Sequence, residues 1–236
     1  QQAGGRMCAV ITLSGQGEPQ ISSAGQRGRG TRGFTLIEIA VTLIILSILM
    51  MIGLPSMMPM IQNARLASMD DFYLEGMRVA RSGAIQKSAA ARFVMTLNAN
   101  GQYDWQVDWC FPTTASPCIA TGAWSTTSAA AAGDPNAANP SLSVFRSASS
   151  LPDASRVTMY LTPVNATSIY FNAYGWVNTA VQPSLSLLCM DVDGSCVSAP
   201  GVPPDVLPRA ITVNLSGVAE RCNPLVASTD SRSCSP

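Results

Sequence analysis

The sequence predicts an α+β protein: one long N-terminal α-helix, membrane-spanning in its first half and amphipathic in its second, packed on an antiparallel β-sheet globular domain. Three observations predict it. Residues 39–54 carry only Thr42 and Ser47 as polar side chains, the composition of a helix built for lipid. Leu66, Met69, Tyr73, Met77, Ala80 and Ala84 recur every three or four residues and so share one helix face. From Arg92 the apolar residues fall instead into short runs between turn-forming residues. A helix followed by strands, without alternation, is the order of an α+β fold.

Residues 1–33 are set apart from the fold, being glycine-rich and polar in their second half with an apolar patch at 7–13. The sequence starts on Gln, so Met7 is one candidate translation start and a fragment is the other reading. Arg27, Arg29 and Arg32 precede the apolar run and would hold this end in the cytoplasm. Glu38 stands at the head of that run. A charge there costs less than the roughly 2.5–3.5 kcal/mol of a membrane centre, but it still calls for a cationic partner. Further on, Gly53, Pro55 and Pro59 are weak points, since an interior proline removes a backbone hydrogen bond at about 3 kcal/mol or more in water. The helix bends or loosens here, or the membrane span simply ends.

Beyond Pro59 the amphipathic stripe resumes, and opposite it lie Arg65, Asp70, Glu75, Arg78, Arg81 and Lys87. Their mixed signs read as a solvated face. Strands are expected at 93–97, 103–110, 157–162, 168–171, 185–190 and 210–215, with Asn100-Gly101 turning the first hairpin. Residues 125–141, rich in Ser, Ala, Asn and Pro, form a loop or insertion. The prolines of 200–208 keep that stretch extended.

Formal charges balance overall, but setting aside Arg6, Arg27, Arg29, Arg32 and Glu18 leaves ten basic and thirteen acidic residues, a net charge of −3 from residue 34 onward. That argues against a general electrostatic attraction to nucleic acid. Cys8 precedes the helix; Cys110, Cys118, Cys189, Cys196, Cys222 and Cys234 follow it. Export to an oxidising compartment makes three disulfides the expected state, and the spacings favour Cys110–Cys118, Cys189–Cys196 and Cys222–Cys234 among the roughly 15 possible pairings. Zinc is the competing use, disfavoured by the lack of histidine and of closely spaced cysteine pairs.

No catalytic constellation is present: the commonest general base is missing, and the cysteines serve better as disulfides than as nucleophiles. The chain is read as a non-enzyme without a cofactor. Asp191-Val-Asp-Gly194 resembles the start of a calcium loop, making Asp191 and Asp193 the metal candidates, but the remaining ligands are absent and a turn is the preferred reading.

Gly33, Phe34, Thr35, Leu36, Ile37 and Glu38 resemble the processing site of type IV pilins and type II secretion pseudopilins. A secretory signal would leave a glutamate in its apolar core, and a plain anchor would leave Gly33 and Glu38 unexplained. The resemblance implies cleavage by a prepilin peptidase between Gly33 and Phe34, N-methylation of Phe34, and pairing of Glu38 with the Phe34 ammonium of a neighbouring subunit. Pro55 falls where pilin helices commonly carry a proline. The implied domains are a cleaved leader (1–33), a transmembrane and filament-core helix (34–58), its amphipathic continuation (59–92) and a disulfide-bonded β-rich domain (93–236).

Residues 168–175 (SIYFNAYG) and 209–217 (RAITVNLSG) are similar to two segments of the GspH and FimT branch of minor pilins and pseudopilins. This implies a structural subunit of a pilus or of a type II secretion pseudopilus. Its partners would be other pilin subunits, the prepilin peptidase, an inner-membrane assembly platform and the lipid bilayer. It would be inserted once in a bacterial inner membrane, leader in the cytoplasm and domain in the periplasm, before joining the filament. Some members bind DNA through basic residues after the terminal Ser-Gly; here only Arg221 and Arg232 are candidates, and Glu220 and Asp230 beside them would repel phosphate.

Overall fold

The computed structural model describes residues 33–113, 117–136, 138–197 and 206–234, without the side chains of residues 52, 54–56 and 197. The leader, with Cys8 and its arginines, and most of the proline-rich stretch at 200–208 lie outside the described residues. Helix α1 runs Leu36–Lys87, 52 residues, and continues through Gly53, Pro55 and Pro59. Residues up to Ser47 and residues from Ile48 onward fall in two separate units.

In the first unit the helix begins at Leu36 and nearly every side chain is exposed. No helix among the described residues is long and apolar enough to cross a membrane. The run of described side chains is unbroken as far as Met51. From Leu36 that is about 24 Å of helix, against a hydrocarbon core of roughly 30 Å. Ile52 and Leu54, which the span expected at 34–58 includes, have side chains outside the described residues.

In the second unit α1 ends by a Schellman arrangement. Ser88 takes a left-handed conformation (φ 51°), its N–H donates to Ile85 O at 3.3 Å, and Ala89 N–H donates to Ala84 O at 3.1 Å. These two bonds satisfy carbonyls that the helix end would otherwise orphan. They stop the helix at Lys87, short of the 92 expected, so that β1 starts at Ala90 rather than 93.

Eight strands follow among the described residues: β1 Ala90–Leu97, β2 Tyr103–Cys110, β3 Val144–Arg146, β4 Thr158–Thr162, β5 Ser168–Phe171, β6 Leu187–Asp191, β7 Arg209–Val213 and β8 Ala219–Cys222. They form two four-stranded sheets, ordered β3-β2-β1-β5 and β4-β6-β7-β8, and every pairing is antiparallel. The turn between β1 and β2 is longer than a two-residue hairpin, because Leu97 pairs with Tyr103. Asn98 organises it, its Oδ1 accepting from Asn100 N at 3.0 Å and Gln102 N at 3.1 Å. Strands β3 and β8 were not expected: the first is three residues with every side chain exposed, the second carries Glu-Arg at its centre, and neither shows the apolar alternation that marks a strand.

The expected helix stripe is the core. Leu66, Met69, Tyr73, Met77, Ala80 and Ala84 are all buried, in one cluster with Phe93, Met95, Trp105, Trp109 and Ile169 of the first sheet and Leu188, Met190 and Ile211 of the second. Two helix glycines let the sheet approach. A Cβ on Gly76 would lie 2.6 Å from Phe93 Cε2, and one on Gly83 would lie 2.6 Å from Trp109 Cζ3. Carbon atoms cannot approach that closely, so hydrogen at these two positions is what seats the aromatic rings on the helix backbone.

Candidate functional site

Gly33, Phe34 and Thr35 precede the helix, and Thr35 caps it. Its carbonyl accepts from Glu38 N at 3.1 Å and Ile39 N at 3.2 Å, and its Oγ1 accepts from Glu38 N at 3.3 Å. Thr35-Leu-Ile-Glu38 thus has the spacing of a capping box, with the threonine half of it formed. The Glu38 charge also faces the positive end of the helix dipole. Sequence reasoning assigned Thr35 no role, although Ser or Thr three residues before Glu is a recognisable helix-start signal.

Around this start the apolar side chains are exposed among the described residues: Phe34 is 77% exposed, and Leu36, Ile37, Leu43, Ile44 and Ile48 are exposed as well. The polar side chains of the run turn inward on their own helix. Thr42 Oγ1 donates to Ile39 O at 2.9 Å and Ser47 Oγ donates to Ile44 O at 2.8 Å. Such internal satisfaction is what a helix needs in an environment without water. Pro55, the other expected assembly residue, has a backbone inside α1 and a side chain outside the described residues.

Residues 28–54 match the prokaryotic N-terminal methylation motif. The motif is typical of type IV pilins and pseudopilins, proteins anchored at the inner membrane that interact with other pilin subunits and are processed by a prepilin peptidase. It takes in Gly33, Phe34, Thr35 and Glu38 and ends one residue before Pro55. No curated protein and no solved structure matches the chain.

Away from the methylation motif, the remaining candidates are held in internal contacts. Arg221 on β8 donates from Nε to Asp70 Oδ2 at 2.5 Å and from Nη2 to Asp71 Oδ1. Asp70, expected on the solvated helix face, is buried. Arg232 Nη2 donates to Asp230 Oδ2 at 2.9 Å, and this guanidinium holds the Asp230 carboxyl down to about 2. Both arginines proposed as phosphate ligands therefore already face carboxylates.

Asp191 is buried, and its carboxylate accepts from Gly194 N at 3.2 Å and Cys196 N at 2.6 Å. Asp193 Oδ1 accepts from Ser195 N at 3.2 Å. These bonds shape a turn, and no group of three or more metal-binding side chains occurs among the described residues. The cysteines pair as Cys110–Cys118, Cys189–Cys196 and Cys222–Cys234. Cys110 and Cys222 are the last residues of β2 and β8, and Cys189 is the central residue of β6.

Proposed function

We propose that this chain is a minor type IV pilin of the GspH and FimT kind, a noncatalytic structural subunit for pilus assembly or initiation. Prepilin peptidase cleaves between Gly33 and Phe34, and the new Phe34 amine is methylated. Residues 34–58 rest in the inner membrane and then pack against equivalent helices in the filament, with Glu38 taking the Phe34 ammonium of a neighbouring subunit. The observation that carries this reading is the helix start itself: large apolar side chains exposed among the described residues, headed by Glu38, within the matched methylation motif. An unpartnered apolar surface of this length requires lipid or other helices. A pseudopilin of a type II secretion machine would use the same parts.

A receptor for DNA is less well supported, because Arg221 and Arg232 each have a carboxylate partner within hydrogen-bond distance. The test is co-expression with a prepilin peptidase and amino-terminal sequencing of the product. The expected result is a chain beginning at N-methylated Phe34; any other start rules the processing out. Glu38→Ala should still be cleaved but fail to enter filaments, and normal incorporation would remove Glu38 from the docking step.

A further inference from the structure

We propose that the surface formed by Tyr174, Trp176, Arg78, Arg81 and Glu220 is a binding site for a neutral, polyhydroxylated glycan. Tyr174 is 77% exposed and Trp176 59% exposed, their ring centroids 6.4 Å apart and the planes inclined at 51°. Aromatic rings usually lose water on folding, so two side by side in solvent constitute an apolar platform without an internal partner. The platform is rigid. Asn172 Oδ1 accepts from Tyr174 N at 2.9 Å and Trp176 N at 3.1 Å, Asn172 N donates to Trp176 O at 2.8 Å, and Gly175 supplies the left-handed residue at φ 78°. A turn ordered in advance loses little entropy when a ligand arrives.

A cleft of about 450 Å³ lies next to it, lined by Arg78, Arg81, Ser82, Val218 and Glu220 among others. Three contacts join cleft and platform. Arg81 Nε donates to Ser216 O at 3.3 Å, Val177 N donates to Leu215 O at 3.1 Å, and a Cβ on Gly175 would sit 2.8 Å from Ile85 Cδ1 and 3.2 Å from Arg81 Cγ. Gly217 and Gly175 are so close that a Cβ on the first would overlap the carbonyl oxygen of the second. Helix α1, the turn after β5 and the turn between β7 and β8 therefore meet at this spot. Among the described residues, Arg78, Arg81 and Glu220 form no ion pair.

The chemistry selects the ligand. A sugar ring presents a C–H face to aromatic side chains and hydroxyls that both donate and accept, and guanidinium and carboxylate groups together can satisfy both functions. A polyphosphate would meet Glu220 in the cleft and a chain whose charge from residue 34 is −3. The core of a protein interface is depleted of charge, whereas three charged side chains stand in this cleft.

The test uses the full chain in a detergent without a sugar head group, titrated by calorimetry with tetrasaccharides of β-1,4-glucose, β-1,4-N-acetylglucosamine and α-1,4-glucose. Saturable binding to at least one is expected, insensitive to added salt. Trp176→Ala should weaken it by about 10-fold, the worth of one stacking contact near 1.4 kcal/mol. Because Trp176 is exposed, that variant should keep the wild-type melting temperature. No binding to any of the three overturns the proposal. So does binding unchanged in both Trp176→Ala and Tyr174→Ala, or salt-sensitive binding of a dT12 oligonucleotide in place of the sugars. None of these outcomes bears on the pilin reading, which rests on the other end of the chain.

Discussion

Arg221 on β8 and Asp70 on α1, 151 residues apart in sequence, meet at 2.5 Å, and they join the C-terminal sheet to the helix. The carboxylate is 1% exposed while the guanidinium is half exposed, and Asp70 Oδ1 has no hydrogen-bond partner. Burial pushes the Asp70 carboxyl above its ordinary value even though the Arg221 hydrogen bond and charge pull it down. Desolvation therefore outweighs the ion pair at this site.

The two members of the pair should behave unequally. Arg221→Ala leaves a buried carboxylate without its hydrogen-bonded guanidinium, with Arg209 as a remaining favourable charge, and should cost about 2–3 kcal/mol, below the 3–5 of a fully buried pair because Arg221 is half solvated. Asp70→Asn should be close to neutral at pH 7, since Arg221 keeps Asp71. A raised carboxyl contributes stability that is complete below its unfolded value near 3.8 and is lost as pH rises through its folded value. Urea titrations across pH 4–8 should accordingly show a flatter profile for Asp70→Asn than for wild type, and parallel profiles would exclude Asp70 as the titrating group.

Gly83→Ala should destabilise despite the better helix propensity of alanine. The gain is about 1 kcal/mol and the overpacking cost roughly 1–3 kcal/mol. Trp109 has little freedom to yield, with Nε1 donating to Leu142 O at 2.9 Å and Lys87 Nζ 5.3 Å from the ring centroid. Denaturant melts should place Gly83→Ala below wild type and the exposed control Ser82→Ala at or above it. Equal stability of the two variants would show that Trp109 moves freely.

Calcium should leave the protein unaffected. The Asp191 carboxylate accepts two backbone amides, and a cation would have to displace them. Melting temperatures in 1 mM calcium and in chelator should agree. A rise of several degrees with calcium would return Asp191 and Asp193 to a metal role.

Thr35→Ala should loosen the first helical turn by about 1 kcal/mol, through loss of the Oγ1 cap on Glu38 N. Hydrogen exchange of the full chain in micelles should then quicken at the amides of Ile37, Glu38 and Ile39 and not beyond Ser47. Unchanged exchange would mean that the backbone carbonyl of Thr35 suffices.

Much of this architecture could be read in advance where a signal is local. The buried helix stripe came from its period, β2 and β5 from compact runs of strand-forming residues, and the disulfides from the short spacing of their cysteines. The end of α1 was misplaced by five residues because Ser88, rather than glycine, takes the left-handed position. β3 and β8 escaped because an edge strand with exposed side chains has no period to detect. The division of the described strands into two four-stranded sheets was not legible in advance, since strand order depends on pairings between runs far apart in sequence.

By itself the sequence determined the methylation motif, the apolar helix behind it and the change from helical to strand periodicity near residue 90, all of which depend on residues close together in the chain. The tertiary structure decided what depends on which distant elements meet. A mixed-charge helix face looks the same in sequence whether or not one of its carboxylates is buried, yet folding placed Asp70 under Arg221 and left Glu75 in solvent. It also set the rings of Trp105 and Trp109 on two helix glycines, and brought the Tyr174–Trp176 turn beside Arg81. Burial and close approach are properties of the packed molecule, and only the assembled helix and sheets could assign them.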